Sequence, residues 1–433
     1  MRAGIRPVIG VILAVAAASF GVAGPASAAP EVKLPPGGAT FKIGGNPGPV
    51  LGTYAGDEFF LAANGSDLDL GHFEPLNTGV DVSSAGFTVN SMTYDAIRKN
   101  IWVAGSNGTL LWFNGGEKFT IPVGSGPIVA DSHSDLVWLT YPASGAVAGF
   151  DESKQQILTT IQVGPDLGAI AADPPARTLW VAGDHGFVFV ISEVSKSVTA
   201  KIPVARSPKP GIITGIATDQ DTKTVWVTSY IPGAHAAELP GKLTEISAVT
   251  DKVLATIPVG PKPSALAAEP QTGTLWVTVP GQDKLQLIDE NPPRIVDTFA
   301  TGADPVSVSA EPIGQDVWVS DHQDGTVRGY YIVPATIRSR PQVSAEAGHA
   351  FHFDVRAQGS PLPTVTITGK LPPGVRKIVK STGEIELTGT PAQSAANQSF
   401  RLTVSAGNGI GNASHQYTVV QQLVITVSAG SPS

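Results

Sequence analysis

Short apolar runs recur along the middle of the chain, each centred on a tryptophan and flanked by turn residues. They are Ile101–Gly105, Val137–Tyr141, Leu179–Gly183, Val225–Ser229, Leu275–Val279 and Val317–Asp321. Their tryptophans, Trp102, Trp138, Trp180, Trp226, Trp276 and Trp318, are separated by 36, 42, 46, 50 and 42 residues. A repeat of this length is the period of propeller blades. The runs are apolar on both faces, as a strand buried between two layers requires. The unit is clearest over 264–305. There an Ala-rich strand at Ala265–Ala268 and a turn at Gln271-Thr-Gly273 precede the Trp276 strand. A third strand at Lys284–Asp289 and a fourth at Ile295–Thr301 follow. Four short strands separated by turn signals predict an antiparallel meander.

The fourth strand repeats as Ile121-Pro-Val-Gly124, Ile161-Gln-Val-Gly164, Ile202-Pro-Val-Ala205 and Ile257-Pro-Val-Gly260, and more loosely as Phe299-Ala-Thr-Gly302. Proline in a sheet belongs on an edge strand, so this strand is expected to be outermost. Phe60, in Phe59–Asn64, lies 42 residues before Trp102 and supplies a seventh aromatic anchor. The last repeat lacks its own fourth strand, whereas Phe41-Lys-Ile-Gly44 resembles one with no blade before it. That segment is expected to close the ring by completing the seventh blade, removing exposed strand edges.

The tryptophan period ends near Arg340. Residues 343–427 alternate strand-like runs with turns, a pattern fitting a small antiparallel sandwich. The expected fold is all-β, a seven-bladed β-propeller followed by an Ig-like β-sandwich. The expected division is a signal peptide over 1–28, a linker over 29–38, the propeller over 39–334 with its closing strand at 40–45, a linker over 335–341 and the sandwich over 342–429.

Composition narrows the setting. Arg2 and Arg6, the apolar stretch Val8–Val22 and Ala26-Ser-Ala28 read as a cleaved secretory signal. There is no cysteine, so packing rather than disulfides must hold the fold. The net charge of −8 becomes −10 without Arg2 and Arg6, with 26 basic against 36 acidic residues. With no Lys/Arg cluster to follow phosphates, nucleic acid is a poor partner. The expectation is a secreted, extracellular protein without a transmembrane anchor, free or associated with the cell wall.

The propeller units resemble the YVTN-type β-propeller repeat, best over Lys252–Asp289 through Ile257-Pro-Val-Gly-Pro261, Leu266-Ala-Ala268 and Thr274-Leu-Trp-Val-Thr278. The tail resembles an Ig domain family of bacterial surface and secreted proteins. The resemblance rests on Gly359-Ser-Pro-Leu-Pro-Thr364, Gly369–Val375, Leu387-Thr-Gly-Thr-Pro391 and Ala406–Gly411. That family lies close to cadherin-like folds, but Glu346, Asp354, Glu384 and Glu386 are too few acids for a calcium site, which wants six or more oxygens. There is also a distant resemblance to the streptogramin lyase propellers, which implies a Pro-His-Gly segment and a Trp-Phe-Thr-Glu segment at the ring's mouth. This chain has neither.

Candidate chemistry falls in the loops between second and third strands, on one rim. Asp184, His185, His235, Glu238, Asp283, Asp321, His322 and Asp324 lie there. Histidine with carboxylates from separate blades can hold a divalent metal or act as an acid-base pair. His185, His235 and His322 are the catalytic candidates of that reading, a metal-assisted lyase or hydrolase. Asp and Gly also favour turns for backbone reasons alone. His133 belongs to the opposite rim, and His349, His352 and His415 read as surface or packing residues of the tail. The first reading is instead non-enzymatic binding or adhesion without a cofactor. In it Tyr141, Asp184, Tyr230, Glu238, Asp283, Asp321 and Asp324 contact a protein, peptide or glycan, since loops on a rigid scaffold carry recognition.

Overall fold

The six tryptophan strands and Glu58–Asn64 form the second strands of seven successive four-stranded antiparallel sheets. A computed structural model describes residues 39–430 apart from 56–57, 75–76, 96, 113–116, 122–125, 206–209, 233–240, 271, 312–315, 381–382 and 412–415. The expected signal peptide and the linker over 29–38 lie outside the described residues. Six sheets are built from consecutive strands within 50–84, 89–120, 128–162, 170–203, 212–259 and 266–300. The seventh joins Thr40–Lys42 to three strands within 305–331. These are the blades of a β-propeller, numbered 1 to 7 below in that order.

Burial follows strand position. Second strands such as Leu136–Tyr141 and Thr274–Val279 are buried at every residue. Fourth strands such as Gln156–Gln162 and Ser197–Pro203 alternate between exposed and partly or fully buried positions, as an outermost strand does. Tryptophans face forward into the next blade: Trp138 packs with Ile170, Leu179 and Val181, and Trp180 with Ile216, Val225 and Val227. The residue before each tryptophan faces backward, as Ile101 does into blade 1.

This alternation corrects the role given to Phe60. Leu61 shares the blade 2 cluster with Ile101 and Val103, whereas Phe60 joins Trp318, Phe41 and Ala62 on the blade 7 side. Leu61 therefore occupies the tryptophan position and Phe60 the one before it. A shift of one residue reverses the face in a strand, and matching Phe60 to Trp102 by spacing placed it on the wrong side. The blade is present all the same, and its aromatic ring meets Trp318 at a centroid distance of 4.9 Å.

The closing strand pairs as expected, Thr40 with Arg328, Phe41 with Val327 and Lys42 with Thr326. Its exit reproduces that of other fourth strands in detail. Ile43 and Gly44 donate backbone N–H bonds to the Gly325 carbonyl at 3.0 and 2.9 Å, as Val163 and Gly164 do to Gly145, and Val204 and Ala205 to Gly186. Gly145, Gly186 and Gly325 all have positive φ. A Cβ at Gly145 would stand 2.3 Å from the Gly164 carbonyl oxygen, so both the turn and the close approach demand glycine.

Neighbouring blades also share hydroxyl bonds along their first strands. Val50 and Gly52 of blade 1 donate to Ser307 and Ser309 of blade 7, and Ile128 and Ala130 of blade 3 to Ser91 and Thr93 of blade 2. These replace backbone pairing where no ladder joins blade to blade.

The tail contains two sheets around one core. A four-stranded sheet orders Gln342–Glu346, Gln416–Ser428, Gln398–Gly411 and Thr364–Gly369. A three-stranded sheet orders Phe351–Val355, Ile385–Gly389 and Val375–Val379. Phe351, Phe353, Ile367, Leu387, Leu402 and Ile425 fill the space between them. The stretch 335–341 does not run free as a linker throughout, because Val333–Ile337 pairs with Ala357–Ser360. Asn408, buried, donates to the carbonyls of Val333 and Pro361 at 2.9 and 2.8 Å. Arg294 of blade 6 donates to the Gly409 carbonyl, and Ile410 enters the Trp276 cluster of blades 6 and 7. The tail is thus attached through packing as well as through the chain.

Candidate functional site

The rim that carries the second-to-third and fourth-to-first loops is braced by its own polar side chains. Most of this bracing gathers on blades 6 and 7. Asp283 accepts the Asp304 N–H at 3.0 Å, Asp324 accepts the Ala303 N–H at 2.9 Å, and the Asp304 carbonyl accepts the His322 N–H at 2.9 Å. Asp321, with no exposed surface, accepts from Arg328 Nε at 2.8 Å and from the Thr326 hydroxyl at 2.9 Å. Burial raises its carboxyl above the ordinary value, and the Thr326 and Arg328 bonds oppose that rise. His322 Nδ1 lies 3.0 Å from the Pro47 carbonyl, next to the closing strand. Gly302 allows the convergence, since a Cβ there would stand 2.6 Å from carboxylate oxygens of both Asp321 and Asp324.

The other sequence candidates lie elsewhere on the ring. Asp184 and His185 of blade 4 meet side chain to side chain in a short turn, with His185 in left-handed geometry and its side chain largely exposed. Tyr141 is buried, and the loss of water pushes its hydroxyl up to about 12. It serves as a support beneath the loop, where its carbonyl accepts the Ser144 and Gly145 N–H groups. Tyr230, at the end of Thr224–Tyr230, is half-buried. His235 and Glu238 lie outside the described residues.

The structure therefore unites Asp283, Asp321, His322 and Asp324, while Asp184 and His185 remain on blade 4. Among the described residues no rim histidine joins a group of three metal-ligating side chains; the one such group is His352, Asp354 and Glu386 in the tail. Arg328, central to the bracing, was missed because a lone arginine in a strand carries no sequence signal of what it will face.

A second rim feature was also missed. Ala143, Ser144, Gly145, Gln162, Val163, Gly164 and Pro165 line an open depression of about 420 Å³ on blade 3. Two of its lining residues are joined directly, the Gly164 N–H donating to the Gly145 carbonyl at 3.0 Å. Its far side adjoins blade 4, where the Asp184 N–H reaches the Pro165 carbonyl at 3.3 Å. Small residues in both loops were legible, but that they form one concavity depends on the two loops meeting.

Among the described residues no helix is long and apolar enough to cross a membrane. No protein-family model matches the chain, and no curated protein matches it. Solved structures do. A chain of Kuenenia stuttgartiensis hydrazine synthase is similar with a TM-score of 0.58 and 13% identity, over 66% of this chain and 95% of that one. A chain of a mitotic checkpoint complex is similar with a TM-score of 0.56 and 11% identity, over 74% of this chain and 100% of that one. At such identities the likeness is one of fold, and the fold is the β-propeller.

Proposed function

We propose that this protein is a non-enzymatic binding scaffold that presents the braced propeller rim to a protein partner, with the blade 3 depression as the seat for a peptide segment. The observation behind this reading is the rim's construction. Asp283, Asp321, His322 and Asp324 are engaged in holding loops, which makes the surface rigid before a partner arrives. A preorganised surface loses little freedom on binding. The depression offers the Ser144 hydroxyl and the Gln162 amide as polar contacts, and the net charge of −8 favours a basic partner. The signal-like segment from Arg2 to Ala28 places the encounter at the cell exterior in this proposal. A glycan is the other exterior ligand that the same surface could take. A metal-assisted lyase or hydrolase is the less supported reading, since among the described residues neither His185 nor His322 falls in a group of three metal-ligating side chains.

The reading is tested by filling the depression. A panel of peptides and exterior proteins is screened with the intact chain and with Ser144→Arg and Gln162→Arg. Partners of the intact chain should bind each variant at least about tenfold more weakly, a difference near 1.4 kcal/mol, with circular dichroism unchanged. Partners that bind both variants as tightly as the parent would remove the depression from the account.

A further inference from the structure

Alternation on two paired strands of the tail brings together a second set of groups. His352 and Asp354 share one face of Phe351–Val355, because strand side chains repeat every second residue. Asp354 stands opposite Glu386 of Ile385–Gly389. The other face of both strands, with Phe351, Phe353, Val355, Ile385 and Leu387, is committed to the core. His352 Nδ1 lies 3.1 Å from Glu386 Oε1, and its Nε2 lies 3.5 Å from Asp354 Oδ1. One donor atom from each of the three residues lies within 4.8 Å of the other two. A lysine ammonium shares the same carboxylates: Lys380 Nζ is 3.0 Å from Asp354 Oδ1 and 3.5 Å from Glu386 Oε2.

We propose that His352, Asp354 and Glu386 form a zinc-binding site on the tail sandwich, in which Lys380 occupies the place of the cation until the metal displaces it. Imidazole nitrogen with two carboxylate oxygens is a zinc donor set, and three protein ligands leave the fourth tetrahedral position to water. Ligand atoms at zinc distances of about 2.0–2.2 Å in a tetrahedron lie roughly 3.4 Å apart. Zinc takes one imidazole nitrogen: Nδ1 stands 3.1 Å from Glu386 Oε1, close to that spacing, and one donor atom from each residue already lies within 4.8 Å of the others, so a small side-chain rotation closes the set. Arg356 Nη2 holds the other Asp354 oxygen, Oδ2, at 2.8 Å, which orients the carboxylate while leaving Oδ1 for the metal. Lys380 is partly exposed on a flexible stem, and exposed ion pairs hold their partners weakly. Calcium does not suit the set, since it wants six to eight oxygens.

The experiment uses the full chain without an affinity tag, stripped with chelator and titrated calorimetrically with Zn²⁺ and separately with Ca²⁺. The expected result is saturable one-to-one uptake of zinc and none of calcium. His352→Ala should weaken zinc binding at least tenfold, and Lys380→Met should tighten it by removing the competing cation. Zinc should raise the thermal midpoint of the parent and not that of His352→Ala. Zinc uptake unchanged by His352→Ala overturns the site, as does weaker uptake in Lys380→Met. Absence of saturable uptake in both the parent and Lys380→Met overturns it equally.

Discussion

Removing residues 38–46 lowers the thermal midpoint sharply, and it does so more than any single substitution within that segment. The deletion takes away the outermost strand of blade 7, its pairing with Thr326, Val327 and Arg328, and the two N–H bonds to the Gly325 carbonyl. It also strips the cover from Phe60 and Trp318. Phe41 has no exposed surface and meets those rings at 4.9 and 5.8 Å. Phe41→Ala alone should cost about 3–5 kcal/mol, the usual penalty for truncating a buried aromatic residue. The deletion adds an open sheet edge to that loss, so increased aggregation should accompany it. Lys42→Ala, at an exposed position of the same strand, is the control and should change little. Thermal unfolding of the three variants decides the matter. A deletion as stable as the parent would mean that the ring does not depend on its closing strand.

Raising the pH from 5 to 9.5 should destabilise the propeller, through carboxyl groups buried between blades. Glu193 of blade 4 meets Asp131 of blade 3, and burial together with that neighbour raises its pKa from 4.5 to about 8. Glu290 of blade 6 meets Asp219 of blade 5, where burial first and Asp219 second raise it to about 9. In blade 7 Glu311 rises to about 8, chiefly by burial and then by Asp316. Each group holds its proton at neutral pH in the folded protein and loses it near 4.5 when unfolded. The folded state binds more protons between those limits, so stability falls as pH rises. The contribution is complete below about 4.5 and is lost once pH passes 8 to 9.

Asp151 runs the other way. Hydrogen bonds from Lys154 and Ser153 hold its carboxyl well below the usual range, so its stabilisation is lost only in strong acid. The midpoint should therefore be highest in mild acid. Glu193→Gln with Glu290→Gln keeps the shape and removes the titration, so the double variant should lose markedly less stability between pH 5 and 9.5. A parent midpoint that is flat across this range, or a double variant with the parent's slope, would overturn the assignment.

These acid pairs show where sequence reading stops. Asp131, Asp219 and Asp95 end first strands, and each accepts a backbone N–H from the turn that follows. That much was open to prediction, because Asp at a strand end is a turn signal. That Glu193 and Glu290 would arrive beside two of them from the next blade was not. They are 62 and 71 residues away along the chain, and only the angle between blades brings them together. The rim histidines show the same limit in reverse. His185 and His322 looked similar as loop residues beside aspartate, yet one pairs with Asp184 and the other with the Pro47 carbonyl near the chain's start.

The period of the tryptophan strands, the outermost place of the Ile-Pro-Val-Gly strands and the orphan Phe41–Gly44 segment were determined by the sequence alone. Each follows from rules local to a strand: two-sided burial, the missing N–H of proline, and the need to pair an edge. Tertiary structure decided which face each residue turns, as the exchange of Phe60 and Leu61 shows, because one step along a strand reverses its side. It also decided that the rim acids brace loops, that the blade 3 loops form a depression, and that His352, Asp354 and Glu386 converge. Such groupings depend on distances between elements remote in the chain, and periodicity within an element carries no information about those.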